Sequence, residues 1–584
     1  MSISAKNKKI EASSDSKHYV NISPIKKLEL LKNYEMKNGV STDTLIERAN
    51  LLISLKEYQL AKSTLYLCLE KHKSPSIIQK LVTCWRALNL KAEAADTLES
   101  NLKHFQEHSI FWIALALFKF EIKDYDAAFG ASLHAITACE INSPEIWYIF
   151  AGSVLMSKKY SIGHKISKKF LTQGPANEHM VECYINACLQ LEFFDEAVNF
   201  LEQTRFSWQN FPILLGIAAN IYGKKSANAE KALLLNEKAH SLEPENSALR
   251  WNLALTQLKN GRVHEGIKNY EARFEWEEFP SPIRKFSIPK KWHPGVDPQS
   301  KVMLWWEQGI GDQIRFWSAL PLFQKEFPNL VLEPMAKTYE IISSSFPDLN
   351  VRYGNLNVDD LTSYEEDFDY HLPIASMFTH ILKKYSDELK QNDFALDWSF
   401  LRADPLRKNF WQSKLQAMSD KPKIGFCWRS SVTNDLRNHN YTVLEQWNEL
   451  LTTSEFSFVN LQYDLDHEQL ITQYPEVETL FLDTGHLDQR DDLEGALSLI
   501  SNLDFVISPA ATPGMMASAS GVPTLIYHKP GFWNFGRIGK FVQNPFFKLT
   551  KNYHSDDISA DKNLVSDVSD FLIKNKNNFQ GILS

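Results

Sequence analysis

The segment KVMLWWEQGIGDQIRFW (301–317) sets the fold class of the second half of the chain. Its apolar run, 301–306, is typical of a buried strand, and a helical pattern follows from about residue 312 to 325. Further apolar runs alternate with helical stretches, which predicts parallel sheets. These strand candidates are 329–334, 350–354, 369–373, 423–428, 456–463, 477–483, 504–508 and 523–528.

The strand candidates form two blocks, separated near residues 402–422. Two blocks of alternating strands and helices predict two Rossmann-like α/β domains facing a cleft, and we assign them residues 301–415 and 416–584. Ligands of such sheets bind at the carboxyl ends of the strands, so we expect functional residues directly after strands.

The first half of the chain repeats at intervals of 33 to 35 residues, marked by small residues. The marked positions are Ala61, Ala95, Ala128, Gly163, Ala197, Ala232 and Gly266. Helices approach closely only where side chains are small, and this period resembles the tetratricopeptide-repeat (TPR) family. The resemblance implies an α-solenoid of about seven repeats over residues 25–275 that binds a protein or peptide in its groove. A helical solenoid without this register is the alternative.

Composition narrows the class of protein further. The chain has 584 residues, 44% of them hydrophobic, and a net charge of −8, which disfavours disorder and nucleic-acid binding. No secretory signal and no membrane span are recognisable, and the six cysteines lack zinc-ligand spacing, so we expect a cytoplasmic protein. Residues 1–24 are predicted to be disordered. A proline-rich linker spans residues 276–300. We expect the last helix of the array, around NYEARFEWEE (269–278), to pack onto the second half.

The first candidate motif is Glu307-Gln-Gly-Ile-Gly-Asp312, between the first strand and the first helix. Gly309 and Gly311 allow a tight turn and a close approach of a ligand to the backbone, which makes them candidates for ligand binding. Asp312 would lie at the mouth of the cleft, as a catalytic carboxylate or as a simple helix N-cap.

Two further motifs lie in the second α/β domain. Arg429, Ser430 and Arg437 follow the strand at 423–428, and the arginines are candidates to pair with a phosphate, although a solvated polar loop would look the same. Gln462 ends the strand at 456–463 and is a candidate to hydrogen-bond a nucleotide or only to terminate that strand.

The last motif, SPAATPGMMA (508–517), leads from a strand into a helix rich in alanine and serine. Thr512, Gly514 and Met515 lie at the start of that helix. Free backbone N–H groups and the helix dipole at such a position favour a phosphate. We therefore expect these three residues to bind the phosphate of a ligand.

The stretch LWWEQGIGDQIRFWSALP (304–321) resembles the opening strand–turn–helix of the ADP-heptose:lipopolysaccharide heptosyltransferase-like family. It is more similar to the TPR-fused relatives of that family, some of which glycosylate flagellin. In motif detail the resemblance covers roughly residues 300–550. It implies a GT-B module in which Asp312 is the catalytic base, the first domain holds the acceptor and the second holds the nucleotide-sugar. Where the family has Asp-Thr and a His, this chain has Ala510, Ala511 and Met515, which argues against ADP-heptose.

The resemblance implies an inverting transferase that moves a sugar from a nucleotide-sugar to a hydroxyl of a protein acceptor, flagellin being one example. We expect no bound cofactor, the nucleotide-sugar being a co-substrate, and no metal, because no obvious metal-binding DxD motif stands in the cleft segments. Two alternatives remain: a non-catalytic TPR scaffold with a degenerate transferase domain, and transfer to a glycan or lipid.

Overall fold

The computed structural model contains two compact units, 1–193 with 204–208, and 194–203 with 209–584. The end of the helical array therefore belongs to the same unit as the α/β part. The predicted boundary at residue 275 and the predicted disorder of 1–24 rest on sequence alone, and most of 1–24 lies outside the described residues. The structure describes residues 23–224, 228–277, 279, 281, 284, 286, 290–353, 367–385, 399–431, 440–529, 531–537, 539–555 and 561–579.

The described part of the first unit is helical. Its helices are α1 (Pro24–Asn38), α2 (Thr42–Ser54), α3 (Tyr58–Lys71), α4 (Pro75–Ala87), α5 (Lys91–Ser100), α6 (Leu102–Phe105), α7 (Ser109–Glu121), α8 (Tyr125–Thr137), α9 (Pro144–Met156), α10 (Tyr160–Gln173) and α11 (Glu178–Leu191). Consecutive helices pack in pairs, and each pair covers the next, so one apolar core runs through the unit.

The repeat register is confirmed by the packing of the small residues. All seven marker residues are buried on the later helix of a repeat. A Cβ on Gly163 would lie 2.6 Å from Val154 Cγ1, and one on Gly266 would lie 2.7 Å from Leu258 Cγ. These positions therefore accept only the smallest side chains, and the α-solenoid prediction is confirmed.

The second unit begins with the end of the helical array. Its array helices are α12 (Phe194–Gln203), α13 (Pro212–Tyr222), α14 (Ala229–Leu242), α15 (Ser247–Lys259) and α16 (Val263–Tyr270). A 3₁₀ turn, Glu271–Phe274, follows α16 directly. Val263, Ile267 and Tyr270 belong to the hydrophobic core that the α/β part also builds, as expected for the segment around NYEARFEWEE.

Two sheets follow within the second unit. The strands are β1 (Lys290–Lys291), β2 (Val302–Trp305), β3 (Leu330–Glu333), β4 (Asn350–Val351), β5 (Tyr370–Pro373), β6 (Lys423–Phe426), β7 (Ser457–Asn460), β8 (Phe481–Leu482), β9 (Phe505–Pro509), β10 (Thr524–His528), β11 (Val542–Gln543) and β12 (Thr550–His554). Over the described residues the first sheet has the order β1-β5-β2-β3-β4 and is parallel. The second has the order β11-β12-β10-β9-β6-β7-β8, with β11 antiparallel.

Helices connect these strands, so the predicted parallel-sheet α/β fold is confirmed, while the division into domains 301–415 and 416–584 stays a prediction. The helices are α17 (Ile310–Trp317), α18 (Leu320–Glu326), α19 (Tyr339–Ser345), α20 (Ile374–Lys384), α21 (Pro405–Met418), α22 (Asn448–Leu451), α23 (His467–Gln473), α24 (Leu493–Ile500), α25 (Thr512–Ala519) and α26 (Lys562–Asn575). The single helix predicted from 312 to 325 is in fact two, α17 and α18.

Core packing agrees with the composition. Residues 302–305 of β2 are all buried, as a parallel strand covered on both faces requires. Five of the six cysteines are buried as well. No helix within the described ranges has both the length and the apolar character that crossing a membrane demands.

Candidate functional site

The strand order reverses at one strand in each sheet, β2 in the first and β6 in the second. In the first sheet the chain runs from β2 to β3 and β4 on one side, and β5 pairs on the other side of β2. In the second sheet β6 has β7 on one side and β9 on the other. Ligands of open α/β sheets bind outside the carboxyl ends of strands at such switch points. The loops after β2, β6, β7 and β9 carry the predicted site residues.

The turn after β2 is made by Gln308. This residue has a φ of 63°, a left-handed conformation that costs a non-glycine residue free energy. Gly309 has a φ of −78° and is the N-cap of α17. The expectation that the glycines themselves make the tight turn is therefore wrong at Gly309.

Gly311 brings α17 close to α25. A Cβ at Gly311 would lie 3.6 Å from Met515 Cγ and 3.7 Å from the Thr512 nitrogen. The first turns of the two helices are thus in van der Waals range of each other. Two helix N-termini, each with unsatisfied N–H groups, lie at one place between the sheets.

Asp312 lies in the first turn of α17 and is not its N-cap, so the simple capping interpretation is wrong. Its carboxylate is 40% exposed and accepts a hydrogen bond from Arg315 Nη1 at 2.7 Å. A carboxylate that is reachable from solvent and fixed in orientation by one guanidinium suits a general base.

The side chain of Arg315 reaches from Asp312 in α17 to Met515 in α25. Its Nη2 lies 3.7 Å from the sulfur of Met515, which is buried at the start of α25. The positive charge of Arg315 also acts on His528, at the end of β10. Burial lowers the pKa of His528 well below its usual range, and the neighbouring His554 and Arg315 lower it further. His528 is therefore neutral at pH 7.

The loop after β6 is held by an internal network. Arg429 Nη1 donates to Asp464 at 2.7 Å, and the Arg429 backbone N–H donates to Gln462 Oε1 at 3.2 Å. Gln462 is fully buried and donates its Nε2 to Asp464 at 2.7 Å. Gln462 thus holds the backbone of the loop through its buried amide group. The side chain of Arg429 is about one quarter exposed.

Ser430 and Cys427 complete this loop. The hydroxyls of Ser430 and Tyr463 lie 2.9 Å apart, and Tyr463 also accepts from the Ser431 backbone N–H. Burial raises the pKa of the Cys427 thiol to about 12, so this thiol is protonated at neutral pH and is no nucleophile. Arg437 lies outside the described residues.

The first turn of α25 has no side-chain cap. Its N-cap is Ala511, which has no side chain able to cap, so the first-turn N–H groups receive no side-chain acceptor there. Gly514 packs against the preceding strand: a Cβ would lie 2.9 Å from Ser508 Oγ and 3.2 Å from the Pro509 carbonyl. Thr512 and Met515 thus lie next to Gly311, whereas Gly514 packs against the end of β9.

Sequence reasoning missed Arg315, Asp464 and the anchors of Gln308. The sequence could have indicated Arg315, because side chains three residues apart on a helix are neighbours and Arg315 stands three residues after Asp312. Asp464 stands 35 residues after Arg429, and no local pattern joins the two. The structure places Asp312, Arg315 and Met515 together and holds Arg429 and Gln462 in a separate network.

No protein-family model matches the chain. Over 305 residues it is 27% identical to Protein FlbA of Caulobacter vibrioides, and the chain spans about half the length of this curated relative (50% of each). The fold is similar to E. coli ADP-heptose lps heptosyltransferase II at 13% identity and a TM-score of 0.33, covering 47% of this chain and 99% of that one. A tetratricopeptide repeat protein from Parabacteroides merdae is similar at 16% identity and a TM-score of 0.26, covering 40% and 92%.

Proposed function

We propose that the chain is a glycosyltransferase that moves a sugar from a nucleotide-sugar to a hydroxyl of a protein acceptor. One observation carries the proposal: the exposed carboxylate of Asp312 stands where the first turns of α17 and α25 meet. This place offers a base on one side and anion-binding N–H groups on the other. A nucleotide-sugar transferase needs both.

The proposed reaction is an inverting displacement. The acceptor oxygen attacks the anomeric carbon, and Asp312 takes the hydroxyl proton. The bond between that carbon and the phosphate oxygen breaks, and the leaving nucleotide keeps the electron pair. The first turn of α25, with Thr512 and Gly514, would stabilise the charge that develops on the phosphate. No metal is required by this scheme.

The array helices supply the case for a protein acceptor. Solenoids of helix pairs present extended concave surfaces for peptides and proteins. A polypeptide acceptor recruited by the array and modified at the Asp312 site would explain both parts of one chain. Flagellin is a candidate acceptor through the sequence resemblance alone.

The donor is proposed to differ from ADP-heptose. Met515 is buried at the position where the resembled family has a His, and its sulfur accepts only from Arg315, so that side chain offers a ligand no hydrogen-bond donor. We would test CMP-, UDP-, GDP-, dTDP- and ADP-nucleotides by thermal shift, since a bound ligand raises the apparent stability by mass action. The best nucleotide then defines the sugar donors for a transfer assay by intact protein mass.

A non-catalytic scaffold is the second candidate. It is favoured by one observation: Asp312 and Arg429 are each neutralised within the chain, by Arg315 and Asp464. The variant Asp312→Asn separates the two. For the enzyme, we expect transfer to be abolished while donor affinity stays within about three-fold. Asp43→Asn, a first-turn aspartate of α2, is the matched control and should transfer like wild type.

Two results would refute the catalytic proposal. One is an unchanged turnover in Asp312→Asn. The other is a wild-type chain that binds a nucleotide but turns over none of its sugar donors with any acceptor class, protein, glycan or lipid.

A further inference from the structure

The loop that precedes Asp312 is held by residues from the end of the helical array. Gln308 donates its side-chain Nε2 to the hydroxyl of Tyr270 at 2.9 Å. Its backbone N–H donates to Ser281 Oγ at 2.8 Å, and its carbonyl accepts from Gln313 Nε2 at 3.1 Å. Donor, acceptor and side chain of this left-handed residue are thus all engaged.

The residue before it, Glu307, is anchored even more firmly. Glu307 and Arg273 both have fully buried side chains. Arg273 Nε and Nη2 donate to the two carboxylate oxygens at 2.8 Å each, a bidentate pair. The backbone N–H of Ala375 donates to the same carboxylate at 3.1 Å. Both carboxylate oxygens of Glu307 thus have a hydrogen-bond donor, and removing Arg273 would leave an uncompensated charge in the interior.

Tyr270 is itself immobilised by its neighbours. Its ring packs between Trp251 of α15 and Trp533, with centroids at 4.7 Å and 5.2 Å. Trp533 in turn contacts Phe316 of α17 at 5.9 Å. The tyrosine therefore touches the site loop through its hydroxyl and the helix of Asp312 through a chain of rings.

We infer that Tyr270 and Arg273 are positioning residues for the transfer reaction, acting on Asp312 through Glu307 and Gln308. The inference rests on the proposed function. A non-glycine residue keeps a φ of 63° only where its surroundings hold it. If the Tyr270 hydroxyl is removed, Gln308 loses an anchor, and its relaxation would turn Gly309 and the start of α17. A displacement of about 1 Å at a reacting group costs on the order of 100-fold in rate.

The test removes one oxygen atom in the full-length protein. In Tyr270→Phe we expect kcat to fall at least about 10-fold, while the donor KM stays within about three-fold. Tyr222→Phe is the matched control, because that buried tyrosine donates to Glu202 in the array and does not touch the loop. A merely structural role of Tyr270 would lower the amount of folded enzyme and leave kcat per folded molecule unchanged.

The variant Gln308→Gly tests whether the effect of Tyr270 passes through Gln308. Glycine adopts a positive φ without an anchor, so Gln308→Gly should depend little on Tyr270. In a double-mutant cycle, Tyr270→Phe is expected to lower kcat less than about two-fold in the Gln308→Gly background. Equal losses in both backgrounds would overturn the proposed route through Gln308.

Hydrogen exchange distinguishes failure of this inference from failure of the proposed function. In Tyr270→Phe, peptides covering 306–313 should exchange faster, while peptides of α13 and α14 should not. If no substrate is found, faster exchange still supports the anchoring, and unchanged exchange overturns it. If wild type is active and Tyr270→Phe matches Tyr222→Phe in kcat, the positioning role is refuted and the transferase function stands.

Discussion

Arg315 donates a hydrogen bond to Asp312 at 2.7 Å across one turn of α17, and its other terminal nitrogen reaches the sulfur of Met515 in α25. This side chain joins the candidate base to the candidate donor site. We expect Arg315→Met to lower turnover about 10- to 100-fold, because the carboxylate loses the group that orients it. Steady-state kinetics with a saturating donor measures the effect.

Arg315→Lys is the companion variant for that experiment. A lysine keeps the charge but not the planar fork, so it should retain more activity than methionine and less than wild type. Equal activity in all three proteins would exclude Arg315 from the site.

Gly514 is predicted to be irreplaceable by alanine. The added methyl would meet the side chain of Ser508 and the Pro509 carbonyl, so α25 must shift away from β9. We expect a loss of about 1–3 kcal/mol in unfolding free energy, together with weaker nucleotide binding. Denaturant unfolding and titration of the best nucleotide measure the two effects.

Gly216→Ala is the control for Gly514, because its Cβ would meet Leu249 at an ordinary 3.4 Å. It should be neutral or slightly stabilising, since alanine favours the helix. A Gly514→Ala variant as stable and as tight-binding as Gly216→Ala would contradict the close packing described here.

The helical array gives a matched pair of glycine substitutions. Gly163→Ala places a methyl 2.6 Å from Val154 Cγ1 and should cost about 1–3 kcal/mol. Gly130 has nothing within 4 Å of its Cβ position, so Gly130→Ala should stabilise by about 0.5–1 kcal/mol. Thermal unfolding of both variants decides whether the repeat contacts, rather than helix propensity, dominate.

Stability should fall in mild acid because of the buried histidine pair. Burial lowers the pKa of His554 to about 4 and that of His528 well below its usual range. The unfolded chain, with a pKa of about 6.5, binds more protons, so this stability is complete above pH 6.5 and is lost as the pH falls toward 4.

His554→Gln tests the acid effect. Between pH 7 and pH 5 the melting temperature of the variant should fall by less than that of wild type, whatever its stability at pH 7. The exposed His264→Gln should follow the wild-type curve. Parallel curves for all three proteins would rule out titration of His554 as a cause.

The α-solenoid and the parallel sheets could be predicted from the sequence because each produces a local pattern of residues. Small residues at one period specify helix contacts, and runs such as VMLW specify buried parallel strands. The strands it missed have no such signal. β1 is two exposed lysines, and β12 reads TKNYH, so both depend on pairing with a neighbouring strand.

For the candidate site, the sequence indicated the loops but not the partnerships within them. Asp312, Arg429 and Thr512 all follow strands, which topology alone makes informative. The pairing of Arg429 with Asp464 and of Arg273 with Glu307 joins residues 35 and 34 positions apart. Such contacts arise only when the chain has folded. Their role in catalysis stays a prediction.

The bidentate contact between Arg273 and Glu307 limits how this chain can be recombined. A chimera joined at residue 275, with a foreign array in front, would leave Glu307 as an uncompensated charge in the interior, which costs about 3–5 kcal/mol. An exchange of repeats therefore has to keep the final helix pair and the turn with Arg273 together with the α/β part. Under the proposed function, acceptor specificity would then diverge at the distal end of the array while the last repeat is inherited unchanged.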